Sequence, residues 1–173
     1  DFPGAARVQP VLAAQKSADG VRIYLAGGFQ PIQNDTEAIV PHDMLSYHPA
    51  TKSWTTETKL PSVKGQVWRT FTGGCAVAYG DSSILLMGGV NYGRFLTALN
   101  RSIYMKRAEE RLEFEGLERL IKEGKEWTEQ GDYEQLARAG AGAVLKGDSL
   151  IIVNGELKPG IRTPQVNCAE ITK

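Results

Sequence analysis

The chain has 173 residues, with 20 Lys plus Arg against 20 Asp plus Glu and a formal net charge of zero. That length suffices for one sizeable core and one ordinary domain. The even charge balance excludes the basic excess that a nucleic-acid or acidic-lipid binder needs. Two cysteines far apart, Cys75 and Cys168, with His42 and His48 as the only histidines, give no metal-ligand spacing, so no metal is expected.

No segment approaches the length of a transmembrane helix, so no membrane partner is expected. Asp1-Phe2-Pro3 is neither a start nor the basic region of a signal peptide, so the chain reads as a mature or excised piece. Its 19 glycines stand mostly beside short apolar runs, which predicts tight turns between short strands.

One unit then repeats three times. The first copy is a strand over Arg7–Gln15, a turn at Ala18-Asp19-Gly20, and a strand over Val21–Leu25 that ends in Ala26-Gly27-Gly28. It continues through a strand Met44–His48, a turn Pro49–Lys52, and a strand opened by Ser53-Trp54-Thr55. The second copy runs from Gly73 to Tyr79, turns at Gly80-Asp81, and returns over Ser83–Met87 to Gly88-Gly89. The third covers Ala139–Leu145, Gly147-Asp148, Ser149–Val153 and Asn154-Gly155. Strand, tight turn, strand is a hairpin signature, and second strands apolar at consecutive positions suit burial on both faces. A glycine pair, a strand with Tyr, a turn and then Trp is the kelch pattern, in which each repeat is a four-stranded blade. The fold expected is all-β, a partial kelch-type β-propeller of about three blades, with a β-sandwich as the main rival. The domain expected is single, 1–173, with repeats over 1–64, 65–94 and 128–173.

Between the second and third hairpins the chain turns rich in Leu, Glu, Lys and Arg. Leu96, Leu99, Ile103, Leu112, Phe114, Leu117, Leu120 and Ile121 recur near helical spacing. This predicts a helical insertion over 95–127, broken near Gly116, either a solvated cover on the blades or a lid or partner-binding element. It also predicts that a strand is missing before Trp127. Three blades are few for a ring, since propellers close with about four to eight. Another chain, a symmetry mate or a removed segment would complete it.

Directly after Asn154-Gly155 stand Glu156 and, beyond Lys158-Pro159-Gly160, Arg162. An acid and a base at a strand end, held by a Pro-Gly turn, can present opposite charges at the mouth of a pocket; the bland account is a solvated surface pair. Arg7 and Arg138 both open a repeat's first strand, and equivalent positions in a propeller point to one end of the channel. Asn91 follows the second glycine pair. His42 and His48 read as turn and strand residues, and Cys75 as a small core residue; whether Cys75 pairs with Cys168 is undecided.

The run from Val153 to Thr163, VNGELKPGIRT, resembles the motif of the kelch-type N-acetylneuraminate (sialic acid) mutarotases. Asp1–Arg7 resembles the opening of one of their blades, and Met87–Asn91 with Phe95-Leu96 the blade before their helical insertion. The segment order is most similar to the cyclically permuted branch, and it covers about half of a family member. The resemblance implies a six-bladed propeller that interconverts the α and β anomers of sialic acid, in bacteria, outside the inner membrane. It implies Glu156 as the catalytic residue and Arg162 as a substrate-binding one.

That chemistry opens a hemiketal and closes it on the other face. A carboxylate suits the removal of the anomeric proton, and an Arg fork suits the substrate's carboxylate. No metal or redox cofactor is called for. Arg7, Arg138 and Asn91 join as expected substrate-binding residues, the two cations favouring an anionic sugar. The alternatives are a non-catalytic kelch platform for protein partners and a propeller that binds sugar without turning it over. A copper oxidase of propeller form is disfavoured, because two nearby histidines cannot supply its ligands.

Overall fold

The computed structural model describes residues 1–33, 36–60, 62–63, 67–68, 70–100, 118–123, 126–158 and 160–172. Three antiparallel sheets succeed one another along the chain, as successive blades of a kelch-type propeller. The first holds β1 (Val8–Ser17), β2 (Gly20–Phe29), β3 (Met44–His48) and β4 (Ser53–Thr56), side by side in that order. A short ladder of β5 (Ser62–Val63) and β6 (Val67–Trp68) leads onward. The second sheet holds β7 (Cys75–Tyr79), β8 (Ser83–Met87), β9 (Glu118–Glu123) and β10 (Glu126–Asp132), with helix α1 (Tyr92–Asn100) between β8 and β9. A 3-10 turn over Glu134–Leu136 opens the third, which pairs β11 (Gly142–Lys146), β12 (Ser149–Val153) and β15 (Val166–Glu170). The hairpin of β13 (Glu156–Lys158) and β14 (Ile161–Arg162) stands off between β12 and β15. Each Gly/Asp turn closes as its sequence predicts: Ser17 pairs with Gly20, Tyr79 with Ser83, and Lys146 with Ser149.

Side-chain alternation along these strands builds the core between blades. Val11, Ala26 and Met44 of the first blade pack on Ile84 and Leu86 of the second. Cys75, Val77, Leu85 and Met87, on the opposite face of that second blade, pack on Leu150 and Ile152 of the third. Strand β8 is therefore buried on both faces, with Ile84, Leu85, Leu86 and Met87 each 2% exposed or less. This is why its sequence is apolar without alternation. Each such side chain contributes about 1.5–3 kcal/mol relative to exposure. In β12 only Leu150 and Ile152 are buried, while Ile151 and Val153 are half-buried on a face that nothing among the described residues covers.

The helical expectation for 95–127 holds at its start and is corrected at its end. The helix covers Tyr92–Asn100, residues 101–117 lie outside the described residues, and Glu118–Glu123 and Glu126–Asp132 are strands. Leu120 and Ile121 lie in register with Leu86 and Leu85 of β8, and Trp127 pairs with Lys122. No strand is missing before Trp127: the second blade has four. The reason is the open edge of β8, whose backbone groups would lack partners if Glu118–Glu123 stayed helical. Completing the ladder outweighs the modest helix preference of Leu, Lys and Glu.

The cysteines are not paired. Cys75 is buried, with its thiol donating to the Ala141 carbonyl at 3.0 Å, and Cys168 is exposed in β15. Burial pushes the Cys75 thiol up to about 11, which suppresses the reactive thiolate. Ellman's reagent at pH 8 is expected to titrate no more than one thiol per folded chain and two in denaturant. Two fast thiols in the folded protein would contradict this packing.

Candidate active site

The third glycine break differs from the other two in the element it opens. The first leads into a loop and the second into α1, whereas Asn154-Gly155 leads straight into the β13–β14 hairpin. Backbone hydrogen bonds stitch the neck of that hairpin. Asn154 N–H donates to Gln165 O at 3.0 Å, Thr163 N–H to Gly155 O at 2.9 Å, and Glu156 N–H to Ala139 O at 2.7 Å. Ala139 N–H returns to Glu156 O at 3.0 Å. Gly155 has φ +107°, and a Cβ there would stand 3.0 Å from Ala139 O and 3.3 Å from Arg138 Cδ. Only glycine fits this backbone and this gap.

Glu156 and Arg162 are direct cross-strand partners in the hairpin register. Their side chains stand 3.8 Å apart, Arg162 Nε to Glu156 Oε1. Glu156 is partly sheltered at 31% side-chain exposure and Arg162 is open at 86%. Glu156 Oε1 also accepts the Gly160 N–H at 3.3 Å. The sequence thus brings the acid and the base together as expected, through a turn that holds Gly160 at φ +76°.

Arg7 and Arg138 occupy equivalent places and make the same kind of contact. Each reaches the first residue of its own blade's glycine break: Arg7 Nη1 donates to Gly27 O at 3.3 Å, Arg138 Nη1 to Asn154 O at 3.0 Å. Arg138 is 2% exposed, also reaches Gln165 O at 3.5 Å, and leaves its Nε without a partner. Among the described residues no carboxylate pairs with it. Arg7 is locked differently: both its terminal nitrogens hold the Asp43 carboxylate, and Nε donates to Ala5 O at 2.9 Å. Its guanidinium is 2% exposed, so this fork is already filled by a protein carboxylate. Asp43 escaped sequence reasoning. The one available signal was its place just before β3, at the same end of the blade as Gly27-Gly28.

Asn91 is the N-cap of α1. Its Oδ1 accepts the Arg94 N–H at 3.0 Å, which satisfies one orphan donor of the first turn. The helix it starts packs Phe95 with Val40 and Val90, against Phe29 and Ala139. A cavity of about 400 Å³ lies beside α1, lined by Arg7, Asp43, His42, Lys59, Tyr92 and Leu96. Glu156 and Arg162 do not line it. His48 is a strand residue, 6% exposed, holding its turn through Asp19 O at 2.9 Å and the Thr51 N–H at 3.2 Å. Among the described residues no group of three His, Cys, Asp or Glu stands ready to hold a metal ion.

The two arginines predict different costs. Arg138→Met strands the Asn154 and Gln165 carbonyls and is expected to cost about 1–3 kcal/mol by urea denaturation. Arg7→Met also strands Asp43. Breaking a buried pair costs about 3–5 kcal/mol, and the lower end applies because Asp43 keeps 27% side-chain exposure. Equal stability of both variants and the parent would show that neither arginine braces its corner.

A model of the N-acetylneuraminate epimerase family matches residues 1–173. The chain is 28% identical over 187 residues to the N-acetylneuraminate epimerase of Haemophilus influenzae (strain PittEE), covering 99% of this chain and 47% of that protein. The Pasteurella multocida (strain Pm70) epimerase is 28% identical over 190 residues, covering 100% and 47%. The solved structure of YjhT superposes with a TM-score of 0.71 at 24% identity, covering 99% of this chain and 53% of that one. The chain therefore spans about half the length of the relatives it matches. The match to the family model runs from the first strand through the Glu156–Arg162 hairpin to the last, and the chain belongs to the N-acetylneuraminate epimerase family.

Proposed function

We propose that this chain carries the acid–base pair of a mutarotase that interconverts the α and β anomers of N-acetylneuraminate. The observation that carries this reading is the Glu156–Arg162 cross-strand pair, 3.8 Å apart on a hairpin stitched at its neck. The substrate bears its carboxylate on the anomeric carbon. A guanidinium that grips that carboxylate brings the anomeric hydroxyl next to a carboxylate held beside the guanidinium. The Arg162 side chain makes no hydrogen bond among the described residues, so its fork is open to a bidentate partner. Its ion pair with Glu156 is exposed on the arginine side, and such pairs are worth about 0–1 kcal/mol. An arriving carboxylate displaces it at little cost.

Glu156 takes the proton from the anomeric hydroxyl as the ring C–O bond breaks and water gives a proton to the ring oxygen; on closure Glu156 returns its proton and the hydroxyl gives one back to water. The open-chain ketone turns about its C2–C3 bond and closes on the other face, with the proton returned. The sum is an isomerisation, without change of oxidation state. In this reading the guanidinium of Arg138, which no described carboxylate neutralises, adds a positive field behind the hairpin that favours an anionic sugar, whereas Arg7 is neutralised by Asp43 and Asn91 is engaged as the cap of α1. The family resemblance supports a bacterial, extracytoplasmic setting in the use of sialic acid. A non-catalytic propeller for sugar or protein is the competing reading.

Anomer exchange of N-acetylneuraminate, followed by proton NMR near neutral pH, tests this. The protein is expected to accelerate exchange, and Glu156→Gln to lose about 10²–10⁴-fold of the acceleration while still binding sugar. Arg162→Met is expected to raise KM by about 10–100-fold, the worth of one hydrogen-bonded charge. Full exchange by Glu156→Gln would remove Glu156 as the base. Sugar binding without exchange in the parent protein would leave the competing reading.

A further inference from the structure

Gln9 holds a backbone conformation that its sequence disfavours twice. Its φ is +54°, in the left-handed region that is costly for a residue with a Cβ. Pro10 follows it, and a residue before proline is pushed towards extended backbone. The strand register passes from Val8–Phe29 to Pro10–Gly27 without it. The equivalent places in the second and third blades are Gly73 and Gly140, with φ of +70° and +65°. The three form one backbone series: Gly73 N–H donates to Gln9 O at 3.0 Å, and Gly140 N–H to Gly73 O at 2.6 Å. Glycine fills two of its three places at little steric cost. What glutamine adds to the third is its side chain.

That side chain leans along the series towards the third blade. Gln9 Oε1 lies 3.6 Å from where a Cβ of Gly73 would stand, and Ala139 Cβ lies 3.5 Å from the same point. The Gln9 amide and Ala139 thus flank one bare backbone position. Ala139 is the residue whose N–H and C=O pair with Glu156 at the foot of the hairpin. Gln9 is exposed, and among the described residues its carboxamide makes no hydrogen bond. An amide with a donor and an acceptor to offer therefore stands near the foot of the Glu156–Arg162 hairpin, supplied by a different blade.

We propose that Gln9 binds the acetamido group of N-acetylneuraminate and sets a preference for the N-acetylated sugar. This rests on the sialic acid reading of the Glu156–Arg162 hairpin. In the sugar ring C2, which bears the carboxylate, and C5, which bears the acetamido group, lie across from each other. A sugar gripped at its carboxylate by Arg162 offers its acetamido group on the far side. A carboxamide complements an acetamide: its N–H donates to the acetyl carbonyl while its own carbonyl accepts the acetamide N–H. A hydroxyl at C5 stops short of the acetyl carbonyl's position and forgoes that bond. The constrained backbone fixes the amide on the rim, which lowers the cost of ordering it when sugar binds.

NMR titrations of the protein with N-acetylneuraminate, and with the analogue that carries a hydroxyl at C5, give the two dissociation constants that test this. The parent is expected to favour the N-acetylated sugar by about 10-fold, the worth of one or two neutral hydrogen bonds. Gln9→Gly and Gln9→Met are each expected to erase that preference and to leave binding of the hydroxyl analogue unchanged. Gln9→Gly is also expected to unfold at no lower urea concentration than the parent, because relief of the left-handed strain offsets the freedom of an unfolded glycine. A folding defect therefore does not imitate the result. If the parent exchanges anomers while either variant keeps the full preference, the role of Gln9 falls and the hairpin chemistry stands. Equal weakening of both sugars would overturn the assignment to the acetamido group. A parent that binds neither sugar removes the hairpin reading and the role of Gln9 together.

Discussion

The fold depends on one constraint: each blade has two apolar faces and each must be covered by a neighbour. Strand β8 meets it fully, with Leu85 facing one neighbour and Leu86 the other. Everything else is arranged so that sheets can approach face to face. The turns are short, and the glycine breaks let one blade's backbone touch the next, as where Gly89 N–H donates to Arg138 O at 2.9 Å.

The candidate site grows out of one of those breaks. Asn154-Gly155 turns the chain out of the blade, and backbone bonds to Ala139 and Gln165 fix where it leaves. Arg138 grips the Asn154 carbonyl from within the core. A catalytic group must be held within a fraction of an ångström by elements that do not move. Here the blade supplies the rigid part and the hairpin the exposed part, so Glu156 is half-sheltered while Arg162 reaches into solvent. Arg7 performs the equivalent grip in the first blade, but with Asp43 filling its fork and no hairpin to support. The same brace meets a protein carboxylate in one blade and the neck of a hairpin in another.

The hairpins, the two-faced burial of β8 and the Glu156–Arg162 pair were legible in the sequence because each rests on local chemistry. Gly/Asp turns set hairpin register, the unbroken apolar run of β8 marks a strand covered on both sides, and the turn at Gly160 brings an acid and a base face to face. Three things were decided only by the tertiary structure. Glu118–Glu123 became a strand because β8 offered an unpaired edge, a need that no helical periodicity of Leu120 and Ile121 could reveal. Arg7 proved to be filled by Asp43, 36 residues away, and Arg138 to be a buried brace. Asn91 proved to be a helix cap, since a side chain's partner depends on which backbone folds beside it. Sequence patterns record what a residue needs from its neighbours along the chain; the tertiary structure alone says which distant groups meet that need.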